Sequence, residues 1–498
     1  MRYTSTRDKK VDVSSAWAIA SGISADGGLF VPVEIPGVSL DDIAAMADMT
    51  YVERAKKLLG LYLTDFTEEE LAYCVEGAYG GNKFSSPDIA PIHELRAGEE
   101  ILELWRGPTC AFKDMALQML PRLMTVSVKK AVGTRETVIL VATSGDTGKA
   151  ALEGFMDVEG TRILVFYPDE GVSPMQKLQM TTQEGKNVAV CAIKGNFDDA
   201  QTGVKSIFTD KEIGKVLAEH GMAFSSANSI NWGRLVPQIV YYFSAYCDML
   251  KNGRIAAGDK INIVVPTGNF GNILAAYYAR EMGLPVNRLI CASNKNRVLT
   301  DFFETGVYDV NRSFYTTSSP SMDILISSNL ERLLFIASGY SDAFVREMMA
   351  DLKSKGKYTM PADVMEKINS IFSAGCCDDE GTKDTIRNTF ESHGYLCDTH
   401  TAVGINVYEK YTEASGDTTP TVIASTANPF KFSRSVLDAV EPGASDGLDE
   451  FAMVGELARV TKASCPPQLA GLRDKTVRFS DVCDRDSMEK AVYRLLNI

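Results

Sequence analysis

Histidine is scarce in this 498-residue chain, which carries only His93, His220, His393 and His400. No two of them stand at ligand spacing along a helix, and this argues against a histidine-based metal centre. The ten cysteines also lack zinc-type spacing, the closest pair being the adjacent Cys376 and Cys377, so reduced, buried thiols and no metal are expected. An excess of basic charge is missing as well. The 51 lysines and arginines face 65 acidic residues, a net charge of −14, which argues against nucleic acid and anionic membranes as partners. No run approaches the roughly 18 apolar residues that span a bilayer. Residues 1–8 hold no apolar signal core, so the expected compartment is the cytoplasm. Low-complexity segments and solenoid repeats are absent from the pattern.

What remains is 45% hydrophobic and 23% charged, enough for a soluble chain of two or three domains. Ser39 and Asp42 stand in capping-box spacing ahead of Ile43 and Met46, and Thr67 and Glu70 repeat the pattern, so residues 1–95 read as a mostly helical N-terminal lobe. After Pro91 short apolar runs alternate with helical ones: 138–141, 163–166, 188–190, 261–265 and 289–291. That alternation predicts an α/β fold with parallel sheets covered on both faces. The expected division is a first α/β domain at 96–245 and a second at 246–498, with a helical insertion at about 316–394. Asp378, Asp379 and Glu380 favour the N-terminus of a following helix over a metal site. Met488, Val492, Leu495 and Leu496 give one apolar face to a C-terminal helix.

Two strands end alike. One runs into Thr143-Ser144-Gly145-Asp146-Thr147-Gly148, the other into Thr267-Gly268-Asn269-Phe270-Gly271-Asn272, and each sets two glycines three apart where a strand turns into a helix. Free amides and the helix dipole favour an anion there. Thr143 and Ala150 occupy places that a nucleotide P-loop reserves for glycine and for serine or threonine, and the second turn lacks the first glycine pair of a dinucleotide fingerprint. A small phosphorylated cofactor between two α/β units is the reading left. Arg106-Gly107-Pro108-Thr109-Cys110-Ala111-Phe112-Lys113-Asp114, between the strand-like 101–105 and the helical 115–120, supplies a lysine near the end of a sheet. A partly desolvated amine there can lose its proton and condense with an aldehyde.

Gly-Pro-Thr-x-Ala-Phe-Lys-Asp at 107–114 and the two glycine turns occur in this order in threonine synthases, and the chain resembles that family. Further segments extend the resemblance from about residue 1 to residue 440: Ser24-Ala25-Asp26-Gly27-Gly28-Leu29, Asn228-Ser229-Ile230-Asn231-Trp232-Gly233-Arg234, Asp398-Thr399-His400-Thr401-Ala402-Val403-Gly404, and Ser425-Thr426-Ala427-Asn428-Pro429. The resemblance implies a tryptophan-synthase-β-like fold (fold type II) with pyridoxal 5'-phosphate in a cleft between two α/β domains. Lys113 would carry the cofactor and act as the catalytic base. Gly268, Asn269, Phe270, Gly271 and Asn272 would wrap its phosphate with backbone amides, and Thr426 would face the pyridine nitrogen. Asp146 would either meet the ring hydroxyl or cap the following helix. Thr143, Ser144 and Thr147 would hold the substrate carboxylate, and Asn228, Ser229, Asn231 and Arg234 its phosphate. For His400 and Thr401, helix capping is the simpler account. The implied reaction converts O-phospho-L-homoserine and water to L-threonine and phosphate. The alternative is a lyase that stops at 2-oxobutyrate, and by analogy the chain would be a monomer or homodimer.

Overall fold

The computed structural model describes residues 1–143, 145–170 and 172–498. The five apolar runs all form strands, now bounded as Glu136–Ala142, Thr161–Pro168, Val188–Lys194, Ile261–Pro266 and Val286–Ser293. In the second sheet they describe, Val482–Asp484, Val188–Lys194, Thr161–Pro168, Glu136–Ala142 and Met222–Ser225 lie in that order, all parallel. The first and larger sheet runs Phe372–Cys376, Val286–Ser293, Ile261–Pro266, Thr421–Ser425, Glu99–Glu103, Ile92–Arg96, and only its last pair is antiparallel. Every residue of Ile261–Pro266 and Thr421–Ser425 is buried, as strands covered by helices on both faces must be.

The sheets do not follow the expected linear division. Glu99–Glu103, inside the 96–245 segment, hydrogen-bonds into the sheet of the 246–498 segment, while Val482–Asp484 crosses back to pair with Val188–Lys194. Parallel strands need long crossovers, so neighbours in a sheet can come from distant parts of the chain. The segment 316–394 carries four α-helices, Leu330–Ala337, Asp342–Lys355, Ala362–Asn369 and Asp379–His393, together with the 3-10 turn Pro320–Met322, the short strand Lys357–Thr359 and the edge strand Phe372–Cys376.

Local signals placed the helix starts well. Thr67 and Glu70 form both arms of a capping box on Glu68–Tyr79, Ser39 accepts from the Asp42 amide ahead of Leu40–Met46, and Asp378 caps Asp379–His393. Met488, Val492 and Leu496 are buried under the C-terminal helix Met488–Leu496. All ten cysteines are free, and most are buried. Among the described residues no helix is long and apolar enough to cross a membrane. The helix Trp232–Lys251 is apolar nearly all round and packs between Tyr51–Tyr62, Lys113–Leu117 and Gly271–Glu281, joining the lobes around one core.

Candidate active site

Parallel sheets present their connecting loops, and hence their ligands, at the carboxyl ends of the strands. Residues 104–113 leave Glu99–Glu103 there, Thr426 follows Thr421–Ser425, the turn at 267–272 follows Ile261–Pro266, and the turn at 143–148 follows Glu136–Ala142. Register holds the two neighbouring exits level, with Ser425 opposite Glu103 and the Leu104 amide donating to the Ser425 carbonyl at 3.0 Å. A hollow lined by Arg135, Gly160 and Gly221 lies at the opposite, amino ends of the second sheet and gathers none of these residues.

Lys113 opens the short helix Lys113–Leu117. Its approach is tightly built: Cys110 takes a left-handed φ of 59°, and a Cβ on Gly107 would come within 2.6 Å of the Asp114 side chain, so only glycine fits. The Asp114 carboxylate accepts from the Thr109 amide at 2.8 Å and hydroxyl at 2.7 Å, although burial still pushes its pKa up to about 6. The Phe112 amide donates to the Thr426 carbonyl at 2.8 Å, which ties the lysine to the expected ring-facing loop. The Lys113 side chain is half-buried, and its amine reaches inward to Ser321. Desolvation is the largest influence on that amine and lowers its pKa to about 8, opposed by the Asp146 carboxylate and reinforced by Lys431 and Arg234.

Asp146 does not cap its helix. The N-cap of Asp146–Phe155 is Gly145, and the Asp146 carboxylate instead meets the Lys431 ammonium at 2.7 Å with both side chains buried. Burial opposes ionisation of Asp146, but Lys431 and Lys113 outweigh it and hold the carboxyl down at about 2. Lys431 also donates to the Thr109 carbonyl at 2.8 Å. The pair spans the cleft, since Lys431 follows a strand of the large sheet and Asp146 a strand of the second. The sequence reading missed Lys431, although it lies two residues past the Ser425–Pro429 motif.

The turn at 267–272 fits an anion through its backbone. Phe270 takes a left-handed φ of 64° to start the helix Gly271–Glu281, and its ring packs inward against Phe303 and Phe372, so only its main chain faces the turn. Asn269 is exposed. Asn272 is buried, its carbonyl oxygen accepts from the Tyr241 and Tyr242 hydroxyls, and its Nδ2 has no partner among the described residues.

Of the expected carboxylate-binding residues, Ser144 lies outside the described residues. Thr143 turns its hydroxyl back on its own loop, accepting from the Gly145 and Gly148 amides at 3.1 Å each, so it shapes the turn. Thr147 is half-buried with its hydroxyl unengaged among the described residues. In the expected phosphate-binding group, Asn231 is engaged within the protein itself. Its carbonyl oxygen accepts from the Gly233 amide at 2.9 Å to cap Trp232–Lys251, and its two N–H donors go to the Ile19 and Ser226 carbonyls at 3.1 and 2.9 Å. Asn228 is exposed and Ser229 half-buried. Arg234 is 6% exposed, donates to the Ala227 carbonyl at 2.9 Å, and has an unpartnered Nε and no carboxylate partner among the described residues. Desolvation lowers its pKa to about 10, so it remains a cation at neutral pH.

His400 also departs from expectation. The cap of Thr399–Ser415 is Asp398, which accepts from the His400 and Thr401 amides, and this frees the His400 ring to reach the Ser321 amide at 3.1 Å. Ser321 in turn lies 3.2 Å from the Lys113 amine. Nothing in the local sequence around Ser321 marks it, because the partner lysine is 208 residues away.

Comparison with known proteins bears on this arrangement. Residues 2–79 match a family model described as "Threonine synthase N terminus", and residues 401–492 one described as "Threonine synthase, C-terminal". The chain is similar to "Threonine synthase" of Pseudomonas aeruginosa, with 38% identity over 88% of this chain and 90% of that protein. It is 40% identical to "Threonine synthase-like 1" of Homo sapiens over 85% of this chain, and spans only 58% of that longer protein. A crystal structure of PLP-bound threonine synthase from Brucella melitensis superposes with a TM-score of 0.89 at 37% identity, covering 99% of each chain.

Proposed function

The chain belongs to the threonine synthase family, and from that premise we propose that it converts O-phospho-L-homoserine and water to L-threonine and phosphate with pyridoxal 5'-phosphate as cofactor. The observation that carries the reading is Arg234, a buried cation without a carboxylate partner among the described residues, held close enough to Lys113 to depress its pKa. Burying an unpaired charge is costly unless an anion arrives to meet it. In a protein of net charge −14 such a group gives a dianionic substrate a local site.

The residues present fit pyridoxal phosphate. Lys113 offers an amine poised near neutrality, the turn at 268–272 offers a helix N-terminus beside the orphaned Asn272 Nδ2, and Thr426 stands tied to the lysine's own loop. When bound, the cofactor supplies the electron sink for charge left on the substrate's α-carbon. Lys113 would hold it through its amine and would serve as the base for the α-proton and as the acid that returns protons later. Arg234 and Ser229 orient the departing phosphate. Asp146, kept ionised by Lys431, would serve the cofactor as an acceptor, and Thr426 would offer its ring a neutral hydroxyl. Closure of the two sheets' loops would exclude stray water before the phosphate leaves.

The test is incubation of the purified, cofactor-loaded protein with O-phospho-L-homoserine, scoring threonine against 2-oxobutyrate. Threonine with stoichiometric phosphate is expected, and 2-oxobutyrate as the main product would overturn the assignment. Arg234→Gln is expected to raise KM about ten- to hundredfold with kcat less affected, the scale of one hydrogen bond to a charged group. Steady-state kinetics with the same substrate checks this.

A further inference from the structure

We propose that Ser321 receives and orients the free amine of Lys113, and that His400 and Asp398 act through Ser321 as positioning residues. This rests on reading Lys113 as the lysine that carries the cofactor and moves protons.

Lysine ends a flexible four-carbon stem, so an amine that leaves one bond and must next reach a particular proton needs a fixed partner. Among the described residues the Lys113 amine makes one hydrogen bond, to Ser321 Oγ at 3.2 Å. Asp146, Lys431, Arg234 and Asp114 influence it only through space from their own elements, and His400 faces Ser321. A hydroxyl can accept from a charged ammonium and donate to the lone pair of a neutral amine, so one residue can hold both protonation states.

Ser321 and the turn that carries it are themselves held in place. Its amide donates to His400 Nε2 at 3.1 Å, and His400 Nδ1 lies 2.7 Å from Asp398 Oδ2. Those two contacts assign the proton to Nδ1 and leave Nε2 as the acceptor. The Phe432 ring stands edge-on to the imidazole at 4.9 Å and fixes its plane. The backbone of Gly268 also closes in, such that a Cβ there would lie 2.7 Å from the Ser321 carbonyl. Two residues on, the Asp323 carboxylate accepts from Asn294 Nδ2 at 2.8 Å, Asn296 Nδ2 at 3.0 Å and the Thr317 amide at 3.0 Å. A short turn locked this thoroughly, with one hydroxyl left over for the amine, is built to place that hydroxyl.

The experiment follows the reactivity of Lys113 in the full-length, cofactor-free protein. Trace acetylation with acetic anhydride across pH, read by peptide mass spectrometry, gives the midpoint of the amine's titration, expected near 8 in the parent protein. Ser321→Ala removes the acceptor of the charged form and should lower that midpoint by about one pH unit, whereas Ser321→Thr should keep it. His400→Phe should shift it in the same direction, and His400→Gln, which can again accept from the Ser321 amide, should restore it. In the loaded enzyme Ser321→Ala should lower kcat about tenfold while KM stays within about twofold. An unchanged midpoint in Ser321→Ala overturns the proposal whatever happens to kcat, as does an equal shift in Ser321→Thr. Should the parent protein leave phosphohomoserine untouched, the functional reading falls, and the labelling series, which uses neither cofactor nor substrate, still decides the role of Ser321.

Discussion

Lys113→Met is expected to lower kcat by at least about ten-thousandfold, because proton transfer alone accounts for up to about that factor and the covalent role is lost with it. Borohydride treatment of the cofactor-mixed variant should leave no cofactor attached to the peptide containing position 113, whereas the parent protein should be labelled there. The same substitution should not harm the fold. The amine has one hydrogen-bond partner and no ion pair among the described residues, and methionine preserves most of the apolar stem. Its pKa of about 8 lies below the ordinary 10.5, so the folded state binds its proton less readily than the unfolded state does. That penalty is fully present below pH 8 and disappears as pH rises to about 10.5. Removing the amine should therefore raise stability at pH 7, by an order of 1–3 kcal/mol. A lower Tm for Lys113→Met than for the parent would contradict this account, since an activating strain cannot also be a support.

The lysine and its two glycine turns were legible in the sequence because each is local: a strand, a turn and a helix start within about ten residues carry their own periodicity and their own special φ. The parallel sheets were legible for the same reason, down to all five apolar runs. What was hidden depends on distance along the chain. Ser321 lies in a stretch read as the start of a helical insertion, and only the fold brings it to Lys113 and His400. Lys431 reads as one more surface lysine until its 2% exposure and its carboxylate partner are seen. Asn231 shows the converse case. Its place in a motif with Ser229 and Arg234 suggested a ligand, whereas Asx capping of Trp232–Lys251 is reason enough for an asparagine there. Edge strands as short as Val482–Asp484 leave almost no periodicity, so the interleaving of the sheets could not be read.

Lys431→Met is expected to destabilise the protein by about 3–5 kcal/mol, because it leaves the Asp146 carboxylate buried without a partner. Chemical denaturation at pH 7 measures the loss. Its pH dependence identifies the cause. In the parent protein the Asp146 carboxyl is held at about 2 against an ordinary 3.8, a depressed value, so its contribution is present above 3.8 and is lost as pH falls toward 2. That contribution is of the order of 2 kcal/mol. Without Lys431, burial acts with less opposition, the carboxyl rises, and the variant should regain stability on acidification where the parent loses it. Adding Asp146→Asn to Lys431→Met removes the stranded charge and should restore most of the stability at pH 7. It should not restore turnover. An ion pair whose replacement by neutral groups leaves the fold standing contributes something other than stability, and this one joins a loop of each sheet beside the Lys113 amine. Recovery of both stability and activity in the double variant would reduce the pair to a packing element. Recovery of stability alone would mean that the cleft requires an ionised carboxylate at 146, with Lys431 keeping it so.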